Sequence, residues 1–270
     1  YEFISKQNLY LKNNFSIEDK VAKPTYDFLD LNSERLSGIA SFIGLNILLL
    51  FFIITFNYEQ FVELPKATAN QLAEETHERV GAVIGSIVMA IVVIMFYFKG
   101  SFNFDKKAKF LKILAQIWVF LNAILVISAM LKNTEYVYYL GLTYKRLGVY
   151  AFLSLAIIGL IFTFIKVSKQ KTNAYLFNQM FWYVYGTILV CSFINWGGII
   201  TSHNLKREDF AANYHFNSVD FNDKQLLEYY QKTNNKEMYK ILKDKIIARQ
   251  NKSFLSKVLY DESISFNESE

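Results

Sequence analysis

Three ionisable side chains just before an apolar stretch are the strongest candidates for chemistry in this sequence. His77 and Glu78 follow Glu74 by three and four residues, and these spacings place the three side chains on one side of an α-helix. Two carboxylates and an imidazole there can hold a divalent cation or relay protons. The segment lacks the two-histidine spacing of a zinc-protease helix. The pattern therefore favours a solvated helix at a membrane rim, and an enzyme acting at that rim stays open as an alternative.

Four amide side chains lie inside otherwise uncharged apolar runs, namely Asn46, Gln116, Asn122 and Asn195. A buried amide in a membrane helix most often bonds a neighbouring helix. The alternative is that the four line a path for a transported molecule or a lipid. The sequence favours the first interpretation and keeps the second.

Two small-residue and aromatic motifs are candidate contact surfaces. Gly81 and Gly85 form a GxxxG pair, which lets two helix backbones approach closely, and we expect the partner helix to lie in this chain rather than in another. The stretch Tyr138 to Tyr150 combines tyrosines, a glycine and two cations, as a turn at a membrane interface requires. Its candidate contact residues are Tyr139, Gly141, Lys145 and Arg146.

The elements that carry these residues are predicted to be transmembrane helices. The chain has 270 residues, of which 53% are hydrophobic and 17% aromatic, with a mean hydropathy of +0.17. Five runs lack Asp, Glu, Lys, Arg and His, and each is close to the roughly 20 residues that cross a bilayer. They are 38–57, 81–98, 113–131, 147–165 and 181–200. We therefore predict an all-α integral membrane protein with about five spans.

The predicted domains are a polar connecting segment (1–36), a transmembrane bundle (37–200) and a helical extramembrane tail (201–270). In the tail, 223–232 and 235–249 have the apolar spacing of helices, and we expect this hairpin to dock on the membrane domain or on a partner. Its lysines are interleaved with acids and no nucleic-acid motif accompanies them, so nucleic acid is not a predicted partner. Because the chain opens on Tyr1, we expect residues to precede it.

Several activities find no support in these residues. The predicted spans contain no ionisable residue, which argues against proton-coupled transport, and Lys166 is assigned to a short basic loop. There is no P-loop, no GxSxG and no HExxH, and the single Cys191 is read as a packing residue. We predict no catalytic residue, no cofactor and no metal ligand.

A more specific resemblance rests on three stretches: GLTYKRLGVYAFL, the preceding FYFKGSFNFDKKAKFLKILAQIWVFLNAILVISAM, and INWGGIITSHNL downstream. Together they resemble an uncharacterised family of bacterial multi-pass membrane proteins, domain of unknown function 4153, related to 4173. The similarity runs from about Phe28 to about Tyr230. It includes Leu64 and Pro65 before the helix that enters the membrane, then Asn195, Ile199, Ile200, Asn204 and Leu205 at its end. His203 departs from the family pattern, where an Arg-Tyr-type pair is common.

The resemblance implies the bacterial cytoplasmic membrane and no known activity. Lysine and arginine in the short loops favour an N-terminal segment inside and the tail outside. We expect a scaffold, accessory subunit or signalling partner of a membrane complex, in contact with lipids and with a protein partner or oligomer through the GxxxG helix and the tail. The alternative is a transporter or lipid-handling protein.

Overall fold

The computed structural model of the chain describes residues 12–17, 20, 30–62 and 69–266, with the side chains of 59–62, 69–79 and 101 outside that description. In these ranges the regular structure is helical, apart from one isolated bridge between Asn14 and Lys171. The α-helices are α1 (Leu31–Val62), α2 (Ala69–Tyr97), α3 (Lys109–Leu140), α4 (Tyr144–Ser168), α5 (Asn173–Phe193), α6 (Trp196–Asn204), α7 (Ala212–Ser218), α8 (Asp223–Lys232), α9 (Lys236–Gln250) and α10 (Leu259–Glu262).

The membrane-spanning character predicted from the sequence is confirmed. Helices long and apolar enough to cross a bilayer are Leu31–Tyr58, Val80–Tyr97, Lys106–Leu140 and Tyr144–Ser168 in the described chain. A fifth span is present if Asn173–Phe193 and Trp196–Asn204 are counted as one broken span. The protein is thus an all-α membrane protein with four to five candidate spans.

The fifth run, 181–200, differs from the continuous helix that we predicted. Helix α5 ends at Phe193, and the side-chain oxygen of Asn195 accepts a hydrogen bond from the backbone N–H of Gly198. An asparagine in this position caps the start of a new helix, here α6, and the following glycines are poor helix formers. The run is therefore interrupted by a cap that uncharged composition alone does not indicate.

Contacts divide the chain into two compact units. The membrane unit comprises Tyr1–Tyr136 and Gly148–Cys191, and the hinge–tail unit comprises Val137–Leu147 and Ser192–Glu270. The predicted boundary between bundle and tail at residues 200 and 201 stays a prediction. By contacts, the segment Val137–Leu147 from the middle of the sequence belongs with the C-terminal residues.

The core of the membrane unit joins apolar side chains from four helices. Phe42 of α1, Ile94 of α2, Leu125 of α3 and Leu160 of α4 are at most 1% exposed within this core. Other large apolar side chains of the same helices point outward, as expected for surfaces that face lipid rather than water. Leu48 and Phe120 are examples.

One expectation about the spans is wrong, because an ionisable residue is buried in α4. Lys166 does not lie in a loop: it is helical, its side chain is 0% exposed, and its ammonium donates to the carbonyl oxygen of Phe98 at 2.7 Å. The segment between α2 and α3 is also held by Lys112 and Gln170, which donate to the carbonyl oxygen of Asn103 at 2.7 and 2.6 Å. Lys166 thus satisfies a carbonyl at the end of α2, where the helix leaves backbone acceptors without helical partners.

The hinge–tail unit has a small core of its own between α8 and α9. Leu226, Tyr230, Leu242 and Ile246 are at most 2% exposed, and Ile264 packs with them. The predicted helices 223–232 and 235–249 are confirmed within one residue, and the side chain of Asn235 caps α9 by accepting from the N–H of Met238.

Candidate binding surfaces

An apolar groove lies between α1 and α2 in the membrane unit. It has a volume of about 470 Å³. Its lining residues are Leu45, Leu48, Leu49, Phe51, Phe52, Ala82, Gly85, Ser86, Met89, Val93 and Trp118. The lining has no charged side chain, so the groove suits an apolar occupant such as a helix or an acyl chain.

The GxxxG pair lies on the exposed side of α2, and Gly85 belongs to the lining of this groove. No described atom lies within 4 Å of a Cβ atom added at Gly81 or Gly85, and the expectation that this pair packs against a helix of the same chain stays a prediction. The small residues leave helix backbone open on a lipid-facing surface, where a second helix can approach closely.

Trp118 adds a polar feature to the groove. This side chain is 4% exposed, and its Nε1–H has no acceptor among the described residues. An indole nitrogen is a donor only, and buried indoles usually find an acceptor. Among the residues described here, the groove therefore combines an apolar lining with a donor that has no acceptor.

The amides predicted to bond neighbouring helices make such bonds in the membrane unit. Asn46 donates to the carbonyl oxygen of Leu114 at 3.1 Å, and Gln116 donates to Ser168 Oγ at 3.0 Å. Asn122 is 0% exposed and accepts from Ser86 Oγ at 2.9 Å, which ties α2 to α3. None of the three lines the α1–α2 groove. A transport path lined by these amides stays a prediction.

Asn195 belongs to the hinge–tail unit, where it caps α6 and also donates to the carbonyl oxygen of Phe221 at 2.9 Å. It borders an open cleft of about 470 Å³ with Ser202, His203, Lys206 and Gln225. Ser202, His203 and Lys206 are exposed there.

The ionisable group Glu74, His77 and Glu78 lies in helix α2, as its spacing predicts, but the three side chains are outside the described part of the chain. Among the residues that are described, no cluster of His, Cys, Asp or Glu side chains is placed to hold a metal ion. That finding does not cover this group, so the rim-enzyme hypothesis stays untested.

The turn at Tyr138 to Arg146 is built around two arginines. Arg146 donates to the carbonyl oxygens of Leu140, at 2.8 Å, and Gly141. Arg207, from beyond α6, donates to the carbonyl oxygens of Tyr138 and Tyr139. Cations at these carbonyls complement the helix C-terminus, where unbonded acceptors carry partial negative charge. Of the predicted contact residues, Arg146 and Gly141 therefore serve the turn itself, whereas Lys145 and Tyr139 are exposed.

Arg207 is oriented by Asp209. The Arg207 Nε and Nη2 atoms donate to the two carboxylate oxygens of Asp209, each at 2.9 Å. These hydrogen bonds hold the pKa of Asp209 below its usual value. The bidentate pair fixes the plane of the guanidinium, which leaves its other donors directed at the end of α3.

Asn204 also holds the turn. Its Oδ1 atom accepts from the N–H of Leu142 at 2.7 Å, and its Nδ2 atom donates to the carbonyl oxygen of the same residue at 2.8 Å. Gly141 has φ +80°, and a Cβ atom there lies 2.7 Å from Asn204 Oδ1. The turn therefore requires glycine for both its backbone conformation and this close approach.

Asn204 also fixes the protonation of His215, which is 2% exposed. Because Leu142 N–H orients the amide, Asn204 Nδ2 faces His215 Nε2 at 3.1 Å, so this ring nitrogen accepts. The imidazole is then neutral, and its Nδ1–H donates to Thr201 Oγ1 at 2.9 Å. Burial lowers the pKa of His215, in agreement with a neutral ring.

Sequence reasoning missed His215 and Arg207 as organising residues. Arg207 binds carbonyl oxygens 68 and 69 residues away, and His215 bonds Asn204 and Thr201, which are 11 and 14 residues away. Neither set of partners has a helical spacing that the sequence could reveal. The resemblance did include Asn204, although without a role. The sequence did contain one signal of a close backbone approach, since the pair Gly197–Gly198 interrupts an apolar run.

The sequence model of a family described as "Domain of unknown function (DUF4153)" matches residues 10–226. The match covers well over half of the chain, and the chain belongs to this family. The matched residues include Val137–Leu147 and the region of α6, the two segments that build the turn held by Arg146 and Arg207. Helices α9 and α10 lie beyond the matched residues. No curated protein and no solved structure has significant similarity to the chain.

Proposed function

We propose that this member of the family acts by binding: it is a scaffold, accessory subunit or signalling partner whose α1–α2 groove receives a transmembrane helix of another protein. The observation that carries the proposal is the exposed Gly81 and Gly85 surface beside an apolar groove. A membrane helix with small or aliphatic residues along one face fits such a surface, since close backbone approach and van der Waals packing drive helix association in lipid.

The hydrogen bonds of the polar side chains in the membrane unit support binding over transport. Asn46, Gln116 and Asn122 each bond another helix, and none of them lines the groove. Lys166 is held against the carbonyl oxygen of Phe98 and is fully buried. Proton- and ion-coupled transporters place such groups along a cavity. Here they serve packing between helices.

Photo-crosslinking in native membranes tests the proposal. A benzophenone amino acid replaces Met89 or Leu48, which line the groove, and as a control Ile188 of α5, which is 65% exposed and outside it. We expect a discrete protein adduct from Met89 and Leu48 and none from Ile188. Gly81→Leu with Gly85→Leu should remove that adduct, because the added side chains fill the surface, whereas Gly148→Leu on an equally open position should not.

A lipid is the second candidate occupant, because an acyl chain also suits an uncharged groove. Crosslinks from Met89 and Leu48 that reach only lipid would reject the helix-binding role and favour lipid handling. Adducts that are equal at Ile188 and in the groove would reject both roles.

The location we propose is the bacterial cytoplasmic membrane, with the N-terminal segment inside and the tail outside. Lys166 is left out of the lysines and arginines counted in the short loops, because it is buried in α4. Labelling of a cysteine introduced at Glu237, in a Cys191→Ser background, by a membrane-impermeant reagent in intact cells tests the side of the tail. Labelling only after the cells are broken would reverse the orientation.

A further inference from the structure

The segment Asn251–Leu259, which forms the loop between α9 and α10 and the first residue of α10, carries the most exposed apolar side chains in the described part of the hinge–tail unit. Phe254, Leu255 and Leu259 are 87%, 94% and 90% exposed, and Val258 is 41% exposed. All four fall within six residues, and every residue from 251 to 259 is exposed. Isolated apolar residues on a protein surface are ordinary, but a contiguous cluster marks a surface that another phase or molecule covers.

The base of this loop is fixed to the rest of the unit. Gln250 donates to the carbonyl oxygens of Asp261 and Ile264 at 2.7 and 2.9 Å, and Arg249 pairs with Asp261 at 3.1 Å. Ile264 then packs into the α8–α9 core. Both ends of the loop are therefore fixed in position, while the apolar side chains between them are exposed.

Charge favours one occupant. Between residues 236 and 262 the sequence has six lysines and one arginine against four acidic residues. Two of those acids are paired, Asp261 with Arg249 and Glu262 with Lys257. Lys252, two residues before Phe254, is exposed. A positive surface with protruding aromatic and aliphatic side chains complements anionic lipid headgroups over an acyl boundary.

We propose that the Asn251–Leu259 loop inserts Phe254, Leu255, Val258 and Leu259 into the surface of an anionic bilayer. The loop belongs to a chain with four to five candidate spans, so covalent linkage gives it a high effective concentration of bilayer surface. Insertion of protruding side chains into headgroups needs no shaped partner surface, in contrast to docking on a protein. This proposal is independent of the helix-binding groove, since it concerns other residues and another occupant.

The test uses the full chain with Cys191→Ser, so that one introduced cysteine carries an environment-sensitive fluorophore. The label is placed at Leu255→Cys or, as a control, at Glu237→Cys, an exposed polar position of the same unit. The protein is reconstituted in phosphatidylcholine vesicles with or without phosphatidylglycerol, and nitroxide lipids in both leaflets report contact whatever the orientation.

We expect a blue-shifted emission and at least about twofold stronger nitroxide quenching at position 255 than at 237 when phosphatidylglycerol is present. Lys252→Glu should weaken the part that depends on phosphatidylglycerol. Equal quenching at 255 and 237 overturns the insertion, and equal protection in both vesicle types overturns the preference for anionic lipid. Protection at 255 that disappears on dilution into excess lipid assigns the loop to a second copy of the chain and overturns the proposal.

Discussion

The membrane unit and the hinge–tail unit bury polar side chains for different purposes. In the membrane unit, Asn122 sits between helices whose backbone groups are already bonded within each helix. In the hinge–tail unit, Asn204 supplies both hydrogen bonds of Leu142, a residue outside any helix. Loss of the first side chain removes one interhelical bond, whereas loss of the second leaves buried backbone groups without partners. The comparison teaches that burial of an amide does not by itself measure its structural importance.

The largest expected effect is at Gly197 in the hinge–tail unit. A Cβ atom there lies 1.6 Å from the carbonyl oxygen of Asp220 and 2.9 Å from Tyr144 Oη, so Gly197→Ala requires the backbone to move. Forced overpacking of this kind costs about 3 kcal/mol or more. Amide hydrogen exchange measured by mass spectrometry should show lost protection in α6 to α9. Gly186→Ala, at a position with no described atom within 4 Å, is the control and should leave exchange unchanged.

The next effect is at Asn204. Asn204→Ala leaves the N–H and C=O of Leu142 and the Nε2 of His215 without their partner. Unsatisfied buried groups cost about 1–3 kcal/mol each, so we expect a loss of about 2–4 kcal/mol and faster exchange in residues 137–147. Asn217→Ala removes only an exposed bond to Asn213 and serves as the control. Equal effects of the two variants would contradict the role given to Asn204.

A pH-dependent effect should distinguish the units further. Burial lowers the pKa of His215, so the folded state disfavours the proton that the unfolded state binds. This contribution to stability is complete above the ordinary histidine pKa of 6.5 and is lost as pH falls below it. Protonation also places an N–H at Nε2 against the amide of Asn204.

Hydrogen exchange between pH 8 and pH 5, corrected for intrinsic rates, measures this effect. We expect residues 137–147 and 197–222 to lose protection in acid while residues 148–168 of α4 keep it. In His215→Gln that dependence should shrink, whereas His203→Gln, at an exposed position, should retain it. An unchanged dependence in His215→Gln would assign it to other groups.

The smallest effect is expected at Asn122 in the membrane unit. Asn122→Leu removes its bond with Ser86, and interhelical bonds of this type contribute about 0.6 kcal/mol in membrane proteins. Thermal unfolding in mild detergent should shift little. Ser86→Ala should have a similar effect, and a double variant should add nothing further. A destabilisation as large as that of Asn204→Ala would remove the contrast between the units.

Composition and run length predicted the all-α membrane fold, because bilayer thickness imposes a length on uncharged helices. The tail helices were equally predictable from apolar spacing, since Leu226, Tyr230, Leu242 and Ile246 recur at helical intervals. The candidate surfaces were predicted only in part. Gly81 and Gly85 were found by their spacing, but whether a helix of this chain covers them depends on where neighbouring helices pack.

By itself, then, the sequence determined which segments are helical and apolar enough for a membrane, since those properties are local and follow from residue type. Only the tertiary structure decided that Lys166 is buried against Phe98 and that Arg207 and Asn204 organise a turn far away in the sequence. These outcomes depend on contacts between distant residues. No local propensity encodes them, because each requires a particular backbone group to be left without a helical partner and then met by a side chain from elsewhere.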